Sequence, residues 1–598
     1  MQLSRISISN FRNFNAFDVT LAGSVVVVGE NRAGKSNLLY AIRLLLDPSL
    51  PDSARQLAFS DFWDGLIVPA PENKITIAVE VTGFEDDLDE LALLTDFRLA
   101  DDPQRARLVY EFKPRAGLAG DPTSEEDFEF SCYGGEDEAK RFGHELRRRI
   151  SMDVLPALRD VEGDLAVWRR SPLRPLIEKA FSTVDAADVQ KIADAVHTAT
   201  AKLADFAEVE TLQDDIGGLF VEMSGARQDV KPRLGFGPTE GSRLYRTIRL
   251  LIDEGERSIA DASLGSANLM FLTLKTLELR QMLAENKRDH TFLCIEEPES
   301  HLHPHLQRSV YRHLFESLRG DADPQPLSVV LTTHSPHIAS VAPIRSLVLI
   351  KDQGVEGSVG YSSADAGLND EEADDLARYL DVTRAEMLFA RGILLVEGDS
   401  ERFLVPAFAQ TMDLSLDHLG ITVCSVGGTN FKPYAKFLTA MGIPFAVITD
   451  WDPRDGSTAL GHKRAGNLVR TIARAREGAV PAAVQVRLDD DSEDQRRALA
   501  EEFGIFMNHD TLEVDLFAAD SFRSPVAQTL REGPFGPTRQ ALINDWEADP
   551  ASLVNERFLA MVETIGKGRF AQRLVGRLSG QEPPDYIRNA IAFVSGRV

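Results

Sequence analysis

Cysteine is scarce in this sequence: the 598 residues include only 3, namely Cys132, Cys294 and Cys424. They lie far apart and form no Cys-x-x-Cys pair, which excludes a zinc cluster and a disulfide framework. Long apolar runs are also missing, so no membrane-spanning segment is predicted. The first residues, MQLSRISISNF, lack the apolar core of a signal peptide. We therefore expect a protein of the reducing cytoplasm.

Positive charge is also in short supply. The chain has 65 Lys and Arg residues against 93 Asp and Glu residues, for a net charge of −28. This balance argues against a surface that is basic throughout for nucleic acid, although local basic segments remain compatible with it. It fits an enzyme whose carboxylates gather metal ions. The length predicts about two to four domains.

Apolar patterning divides the chain into two α/β regions and two helical ones. The stretch VVVVGENRAGKSNLLYAIRLLL predicts a buried strand, a glycine loop and a helix. Residues 352–377 are rich in Gly, Ser and Asp, which indicates a partly flexible connector. The predicted parts are 1–145 and 241–355 for one split α/β domain, 146–240 for a helical insertion, 356–385 for a linker, 386–520 for a second α/β domain and 521–598 for a helical C-terminal part.

The segment GENRAGKS, residues 29–36, matches the P-loop pattern G-x-x-x-x-G-K-[ST] between a strand and a helix. Gly29 and Gly34 let backbone N–H groups surround the phosphates. Lys35 supplies positive charge to the β- and γ-phosphates, and Ser36 offers a hydroxyl to Mg²⁺. We therefore predict that the chain binds ATP with Mg²⁺.

Two later strands end in residues that suit ATP hydrolysis. In FLCIEEPESHLHP, Glu296 would hold the Mg²⁺ shell and Glu297 would orient or activate the attacking water. The alternative is a strand tip followed by a helix cap. In VVLTTHSPHI, His334 can sense the γ-phosphate, although a lone histidine is more often structural. The three motifs follow the order that an ABC-type ATPase needs.

This arrangement resembles the ABC-type ATPases of DNA repair, the Rad50, SMC and RecF group. The resemblance implies that Arg12, in ISNFRNF, lies near the nucleotide. It also implies a signature loop, for which SLGSAN at 263–268 is the candidate, contacting a γ-phosphate across a dimer. Glu296 departs from the usual Asp. The further nucleotide-binding residues predicted from these motifs are Asn31, Asn37, Ser263, Gly265 and Ser266.

A second acidic pattern follows the connector. LLVEGDSE places Glu397 at a strand tip, and FAVITDWD places Asp450 and Asp452 at another, on the same side of an extended chain. Each tip alone is equally well explained as a helix cap. Together they are the pattern of the Toprim fold, in which clustered oxygen ligands bind Mg²⁺ or Mn²⁺ for phosphodiester chemistry. Glu401 is a further predicted ligand, and Glu513 in HDTLEVDLF is another candidate.

An ABC-type ATPase followed by a Toprim domain resembles the OLD (overcoming lysogenisation defect) family of nucleases. The motifs GENRAGKSNLL, IEEPESHLHP, TTHSPHI, LLVEGDSE, VGGTNFKPY, VITDWD, TLEVDLF and GKGRFAQRL carry the resemblance. It implies that Lys567 completes the nuclease site, with Glu397 as a metal ligand or a general base. The sequence has no Cys/His cluster of the kind that a bacterial primase uses, and none of its tyrosines lies in a recognisable topoisomerase motif. Both observations argue against these two other classes of Toprim enzyme.

The resulting prediction is an ATP-binding and ATP-hydrolysing, metal-dependent DNA endonuclease with a role in anti-phage defence. The resemblance implies a homodimer or larger homo-oligomer, in which the insertion forms a compact dimerisation module, and it allows a helicase-like protein partner. One alternative is a RecF/SMC-like DNA-repair ATPase that clamps DNA with a non-catalytic Toprim-like module. A second is a sensor in which ATP turnover detects an invader and nicking is the output. A transporter ATPase is a distant third alternative, because a transporter needs no acidic metal site.

Overall fold

The computed structural model describes residues 1–157, 161–224, 233–234, 244–259, 262–300, 302–317, 326–454, 456–490, 492–578 and 580–598. The chain separates into two compact units. The first comprises Met1–Ala157 with His290–Val598, and the second comprises Leu158–Asp289.

The strands, in chain order, are β1 (Gln2–Phe11), β2 (Phe14–Thr20), β3 (Val25–Gly29), β4 (Ile75–Thr82), β5 (Ala106–Pro114), β6 (Phe128–Gly134), β7 (Ile150–Leu155), β8 (Leu251–Ile252), β9 (Arg257–Ser258), β10 (His290–Glu296), β11 (Leu327–Thr332), β12 (Leu347–Asp352), β13 (Ser358–Ser362), β14 (Gly392–Val396), β15 (Ile421–Ser425), β16 (Phe445–Thr449) and β17 (Ile505–Met507).

The α-helices span Lys35–Leu46, Asp52–Arg55, Leu88–Leu94, His144–Arg149, Val161–Ala166, Leu173–Ser182, Ala186–Ala201, Ala207–Ser224, Leu264–Ala284, Pro304–Ser317, Pro336–Ala339, Asp370–Tyr379, Val382–Ala385, Asp399–Thr411, Leu416–Leu419, Lys432–Ala440, Leu460–Glu477, Ala482–Leu488, Glu493–Glu502, Leu512–Ala518, Asp520–Arg531, Pro537–Ala548, Asn555–Ile565, Lys567–Val575 and Asp585–Ser595. Among the described residues, none of these helices has the length and apolarity to cross a membrane.

Two sheets build the ATPase part of the first unit. One is antiparallel in the order β2-β1-β4-β5-β6, and the other has the order β13-β12-β3-β11-β10-β7. In the second sheet β3, β7, β10, β11 and β12 pair in parallel. Every residue of β3 is buried, as its run of valines predicts for a central parallel strand. Because β3 lies between β12 and β11 and runs parallel to both, the P-loop follows β3 on the side of the sheet where the carboxyl ends of these neighbouring strands also lie.

The Toprim part of the first unit is a parallel sheet in the order β15-β14-β16-β17. Every residue of β14 and β16 is buried, so their carboxyl ends deliver Glu397 and Asp450 to one edge. Helices of the C-terminal part complete this core, which includes Phe408, Trp546 and Phe558. The last eighty residues therefore belong to the Toprim core and do not form a separate layer.

The structure differs from two of the predicted boundaries. The proposed linker 356–385 contains β13, which pairs antiparallel with β12, and the helix Asp370–Tyr379, which Asn369 caps. Its acidic residues are mostly exposed, whereas Ser358, Ser362 and Ser363 are buried. Composition alone does not separate such ordered elements from a loop. The insertion was expected at 146–240, yet β7 pairs with β10 in the ATPase sheet and the second unit continues to Asp289.

Candidate nucleotide and metal sites

The P-loop closes around the ammonium group of Lys35. Lys35 Nζ donates to the carbonyl oxygens of Gly29 at 3.0 Å and Glu30 at 2.9 Å. Burial lowers the pKa of Lys35. Gly34 has a φ of 106°, and a Cβ there would meet the Asn13 side chain at 2.0 Å. The glycine is therefore required both by conformation and by space, as the motif predicts.

Arg12 and Asn37 meet at the start of the P-loop helix, Lys35–Leu46. Arg12 Nη1 donates to Asn37 Oδ1 at 2.8 Å, and its Nε donates to Asp61 Oδ1 at 2.9 Å. Asn13, which the sequence reasoning passed over, donates to the Ala33 carbonyl at 2.9 Å and accepts from Asn37. These contacts bring the ISNFRNF segment against the P-loop, where the resemblance places Arg12.

The tips of β10 and β11 bring together the three residues predicted for hydrolysis. His334 Nε2 lies 3.5 Å from Glu297 Oε1. Burial raises the pKa of Glu296. Glu299 was missed: its Oε1 accepts from the His334 backbone N–H at 2.6 Å and its Oε2 from Thr333 Oγ1 at 2.9 Å. Glu299 thus connects the segment after β10 to the loop that carries His334. The cluster of acidic residues in EEPES was the sequence signal that could have indicated it.

The candidate signature loop, SLGSAN at 263–268, lies in the second unit. Ser263 Oγ accepts from the Ser266 backbone N–H at 3.2 Å, which makes Ser263 the N-cap of the helix Leu264–Ala284. Gly265 lies in the first turn of that helix. The predicted contact of Ser263, Gly265 and Ser266 with a partner's nucleotide stays a prediction.

Glu397 is the most firmly held of the predicted metal ligands. Its Oε1 accepts from the Thr449 hydroxyl, from the Asp450 backbone N–H at 3.0 Å and from Arg464 Nη1 at 2.9 Å. Arg464 Nη2 also donates to Asp452 Oδ2 at 2.8 Å. Arg464 was not among the predicted site residues, since nothing local shows which arginine of the helix Leu460–Glu477 turns toward the carboxylates.

Asp450 lies deep in the same cluster. Its Oδ1 accepts from Asn508 Nδ2 and from the Leu512 backbone N–H at 3.1 Å. Burial, together with the neighbouring carboxylates of Glu397 and Glu401, raises the pKa of Asp450 to about 8. Asn508, on the end of β17, was also missed because it precedes rather than joins the TLEVDLF motif.

Glu401, Glu513 and Lys567 complete the cluster. Glu401 Oε2 accepts from the Gly398 backbone N–H at 3.1 Å, so this glutamate also caps its own helix. Burial raises the pKa of Glu401 to about 7, and the negative charges of Glu513 and Glu397 act in the same direction. Ser400 Oγ donates to Glu513 Oε1 at 2.9 Å, and Lys567 Nζ lies 4.0 Å from Glu513 Oε2. Residues separated by more than a hundred positions therefore share one site.

Three of the predicted site residues adopt a left-handed backbone. The φ angles are 51° at Arg12, 41° at Glu297 and 51° at Asp452. Positive φ is uncommon outside glycine and concentrates at functional sites. At Arg12, Glu297 and Asp452 the positive φ falls within the motifs ISNFRNF, IEEPESHLHP and VITDWD, which were predicted to carry function.

The donor set fits a divalent cation. In the described part of the chain, no three Asp, Glu, His or Cys side chains converge in ligating geometry. Arg464 binds Glu397 and Asp452 instead, while Asn508 binds Asp450. Yet burial and neighbouring carboxylates raise the pKa values of Asp450 and Glu401, and oxygen ligands of this kind are those that Mg²⁺ and Mn²⁺ prefer. A bound cation would neutralise this excess of negative charge.

Two regions of the chain match known protein families. Residues 24–340 match the family described as "AAA domain, putative AbiEii toxin, Type IV TA system", and residues 388–452 match "Overcoming lysogenization defect protein-like, TOPRIM domain". The chain is 26% identical over 467 residues to the OLD nuclease of Thermus scotoductus, covering 75% of this chain and 82% of that one. It is 23% identical over 470 residues to the endonuclease GajA of Bacillus cereus, covering 76% and 75%.

A solved structure is also similar. The C-terminal region of the Burkholderia pseudomallei OLD protein is 43% identical, and the match covers 35% of this chain and 98% of that one, with a TM-score of 0.32.

The fold and the two sites define a P-loop ATPase joined to a Toprim domain. Domains of these two kinds use ATP and divalent metal ions. The chain belongs to the OLD family. The prediction of an OLD-family protein that combines an ATPase with a Toprim nuclease domain is thereby confirmed, as is the predicted α/β fold class.

Proposed function

We propose that the protein is an ATP-binding and ATP-hydrolysing DNA endonuclease that depends on Mg²⁺ or Mn²⁺ and acts in defence against phage. The observation that carries the proposal is the meeting of Glu397, Glu401 and Asp450 with Glu513 and Lys567 at one edge of the Toprim sheet. The relatives reported above, an OLD nuclease and the endonuclease GajA, support the same activity.

The chain's own residues divide the work of phosphodiester cleavage. Glu397, Glu401, Asp450, Asp452 and Glu513 would hold the cation, which when bound supplies an activated water and neutralises charge on the scissile phosphate. The three donors on Glu397 Oε1 orient that carboxylate as a ligand or a base. Lys567 would offset the charge that grows on the phosphate.

Basic side chains beside the acidic cluster provide a track for DNA. Arg569 and Arg573 are exposed on the helix Lys567–Val575, and Lys463 and Arg474 are exposed on the helix Leu460–Glu477. Such groups contact phosphates without reading bases. These side chains favour binding to the DNA backbone without sequence preference, despite the chain's net charge of −28.

A direct contact joins the nucleotide loop to the nuclease sheet. Arg391 Nε donates to Glu30 Oε1 at 2.9 Å. Glu30 belongs to the P-loop motif, and Arg391 immediately precedes β14, whose other end leads to Glu397. Lys351, on β12, donates to the Gly442 carbonyl at 2.9 Å, close to the start of β16. These contacts support control of the nuclease by the nucleotide state.

We expect Lys567→Met to reduce the rate of plasmid cleavage at saturating DNA by roughly a hundredfold, because a cation that stabilises developing charge is lost. Mn²⁺ binding should persist, since Lys567 supplies no ligand oxygen. Cleavage time courses and Mn²⁺ titrations measure the two effects. Arg573→Gln, which removes one positive charge from the same helix, should weaken DNA binding and leave the saturated rate nearly unchanged. Equal losses in both variants would remove the special role of Lys567.

The second unit supports the proposed homodimer. Leu212, Ile216, Leu219 and Met223 recur on one side of the helix Ala207–Ser224 and are exposed. Ile192 and Val196 are exposed one turn apart on the helix Ala186–Ala201. Exposed apolar side chains in rows of this kind favour a protein interface, and a second copy of the chain is the partner that the insertion's predicted role requires.

Leu212→Glu combined with Leu219→Glu should convert the dimer to a monomer, because each change buries a charge at the interface. We expect the dissociation constant to rise by at least about a hundredfold. Light scattering after size-exclusion chromatography measures the mass. Asp214→Asn lies on the opposite side of the same helix and should leave the mass unchanged. A double variant that stays dimeric would place the interface elsewhere.

A further inference from the structure

A guanidinium group lies between two of the predicted metal ligands. Arg464 donates from Nη1 to Glu397 Oε1 at 2.9 Å and to the Asp450 carbonyl oxygen at 2.9 Å. It donates from Nη2 to Asp452 Oδ2 at 2.8 Å. Its side chain is only 13% exposed, against 18% for Glu397 and 30% for Asp452. The group is therefore shielded from water and bound on two sides by carboxylates.

The local fold directs this arginine at the strand tips. The helix Leu460–Glu477 begins directly against the D-x-D segment, where the Gly461 backbone N–H donates to the Trp451 carbonyl at 2.8 Å. A Cβ on Gly461 would lie 2.7 Å from the Asp450 carbonyl oxygen, so only glycine allows this approach. Arg464 follows one turn later on the same face of the helix, which carries its side chain over the carboxylates.

A metal ion and this guanidinium need the same oxygens. A divalent cation bound by Glu397 and Asp452 would lie close to Arg464, and two like charges repel in a site that excludes water. Arginine keeps its charge under all ordinary conditions, so it cannot relieve the conflict by losing a proton. The side chain must move when the cation binds.

We propose that Arg464 is a positioning residue that holds Glu397 and Asp452 in the metal-free site and yields them to the incoming cation. The inference rests on the proposed metal-dependent nuclease. The exchange replaces one cation by another, so the carboxylate cluster never stands uncompensated. Arg464 thereby competes with the metal and sets the concentration of Mg²⁺ or Mn²⁺ at which the nuclease site fills.

The test is Mn²⁺ binding to the nucleotide-free full-length protein, followed by the electron paramagnetic resonance signal of free Mn²⁺. For Arg464→Gln, we expect the dissociation constant for Mn²⁺ to fall by about tenfold, because a charge-assisted contact no longer competes. Arg539→Gln removes the same charge from an exposed position of another Toprim helix, Pro537–Ala548, and should bind Mn²⁺ like wild type. An unchanged or weaker Mn²⁺ affinity in Arg464→Gln would overturn the proposal.

A second measurement separates competition from a general structural role. In metal-free buffer Arg464→Gln should unfold at a lower temperature than wild type, and saturating Mn²⁺ should remove that difference. Arg464→Lys keeps the charge without the planar guanidinium, so its Mn²⁺ affinity should lie between those of the wild type and Arg464→Gln. This variant replaces Arg464→Gln in the test if the glutamine variant fails to fold. Absence of Mn²⁺ binding in the wild type would instead refute the proposed nuclease site itself.

Discussion

Asp450→Asn should abolish DNA cleavage while ATP hydrolysis continues at the wild-type rate. Asp450 lies at the centre of the acidic cluster, and its neutral amide replacement cannot supply a carboxylate to a divalent cation. We expect the cleavage rate to fall by about a thousandfold or more, as when a principal electrostatic element of an active site is removed. Nicking of supercoiled plasmid in Mg²⁺ or Mn²⁺, alongside phosphate release from ATP, measures both activities.

The substitution is also expected to spare the fold. Asp450 Oδ1 accepts from Asn508 and from the Leu512 backbone N–H, and an asparagine carbonyl oxygen can accept both. Burial raises the pKa of Asp450 to about 8, which favours its neutral form in the metal-free protein, so an amide there costs little. Asp494→Asn, exposed on another Toprim helix, is the matched control. Cleavage that survives in Asp450→Asn would place the chemistry outside the Toprim cluster. Absence of cleavage by the wild type, with ATP hydrolysis intact, would favour the clamp alternative, in which the Toprim module is not catalytic.

Lys35→Ala should reduce ATP turnover by at least about a hundredfold, because Lys35 is the P-loop cation for the β- and γ-phosphates. The variant should also lose any difference between cleavage with and without ATP. That second effect follows from the proposed coupling of the P-loop to β14 through the Glu30–Arg391 contact.

The Lys35 measurement pairs ATP turnover with plasmid cleavage in the presence and absence of ATP. Lys140→Ala, an exposed lysine that donates to the Asp96 carbonyl, should behave like wild type in both assays. If cleavage by Lys35→Ala still responds to ATP, the response arises outside the P-loop and the proposed coupling through Glu30 is wrong.

The sequence alone determined the parts of this protein that depend on short contiguous segments. The P-loop can be predicted because its glycines, lysine and serine all lie within residues 29–36, and Gly34 needs a left-handed backbone that glycine adopts freely. The same holds for β3, β14 and β16, whose unbroken apolar runs predict buried parallel strands with functional residues at their tips.

Tertiary structure decided which side chains meet. Arg464 is one of several arginines in a basic helix, and only packing of that helix start on the D-x-D backbone turns it toward Glu397. Ser400 and Glu513 meet across 113 positions, and no local pattern encodes that contact. The segment 356–385 looked like a linker because its composition is polar, whereas pairing of β13 with β12 gives it order. Local backbone preferences are written in neighbouring residues, but contacts between distant residues arise only when the whole core has packed.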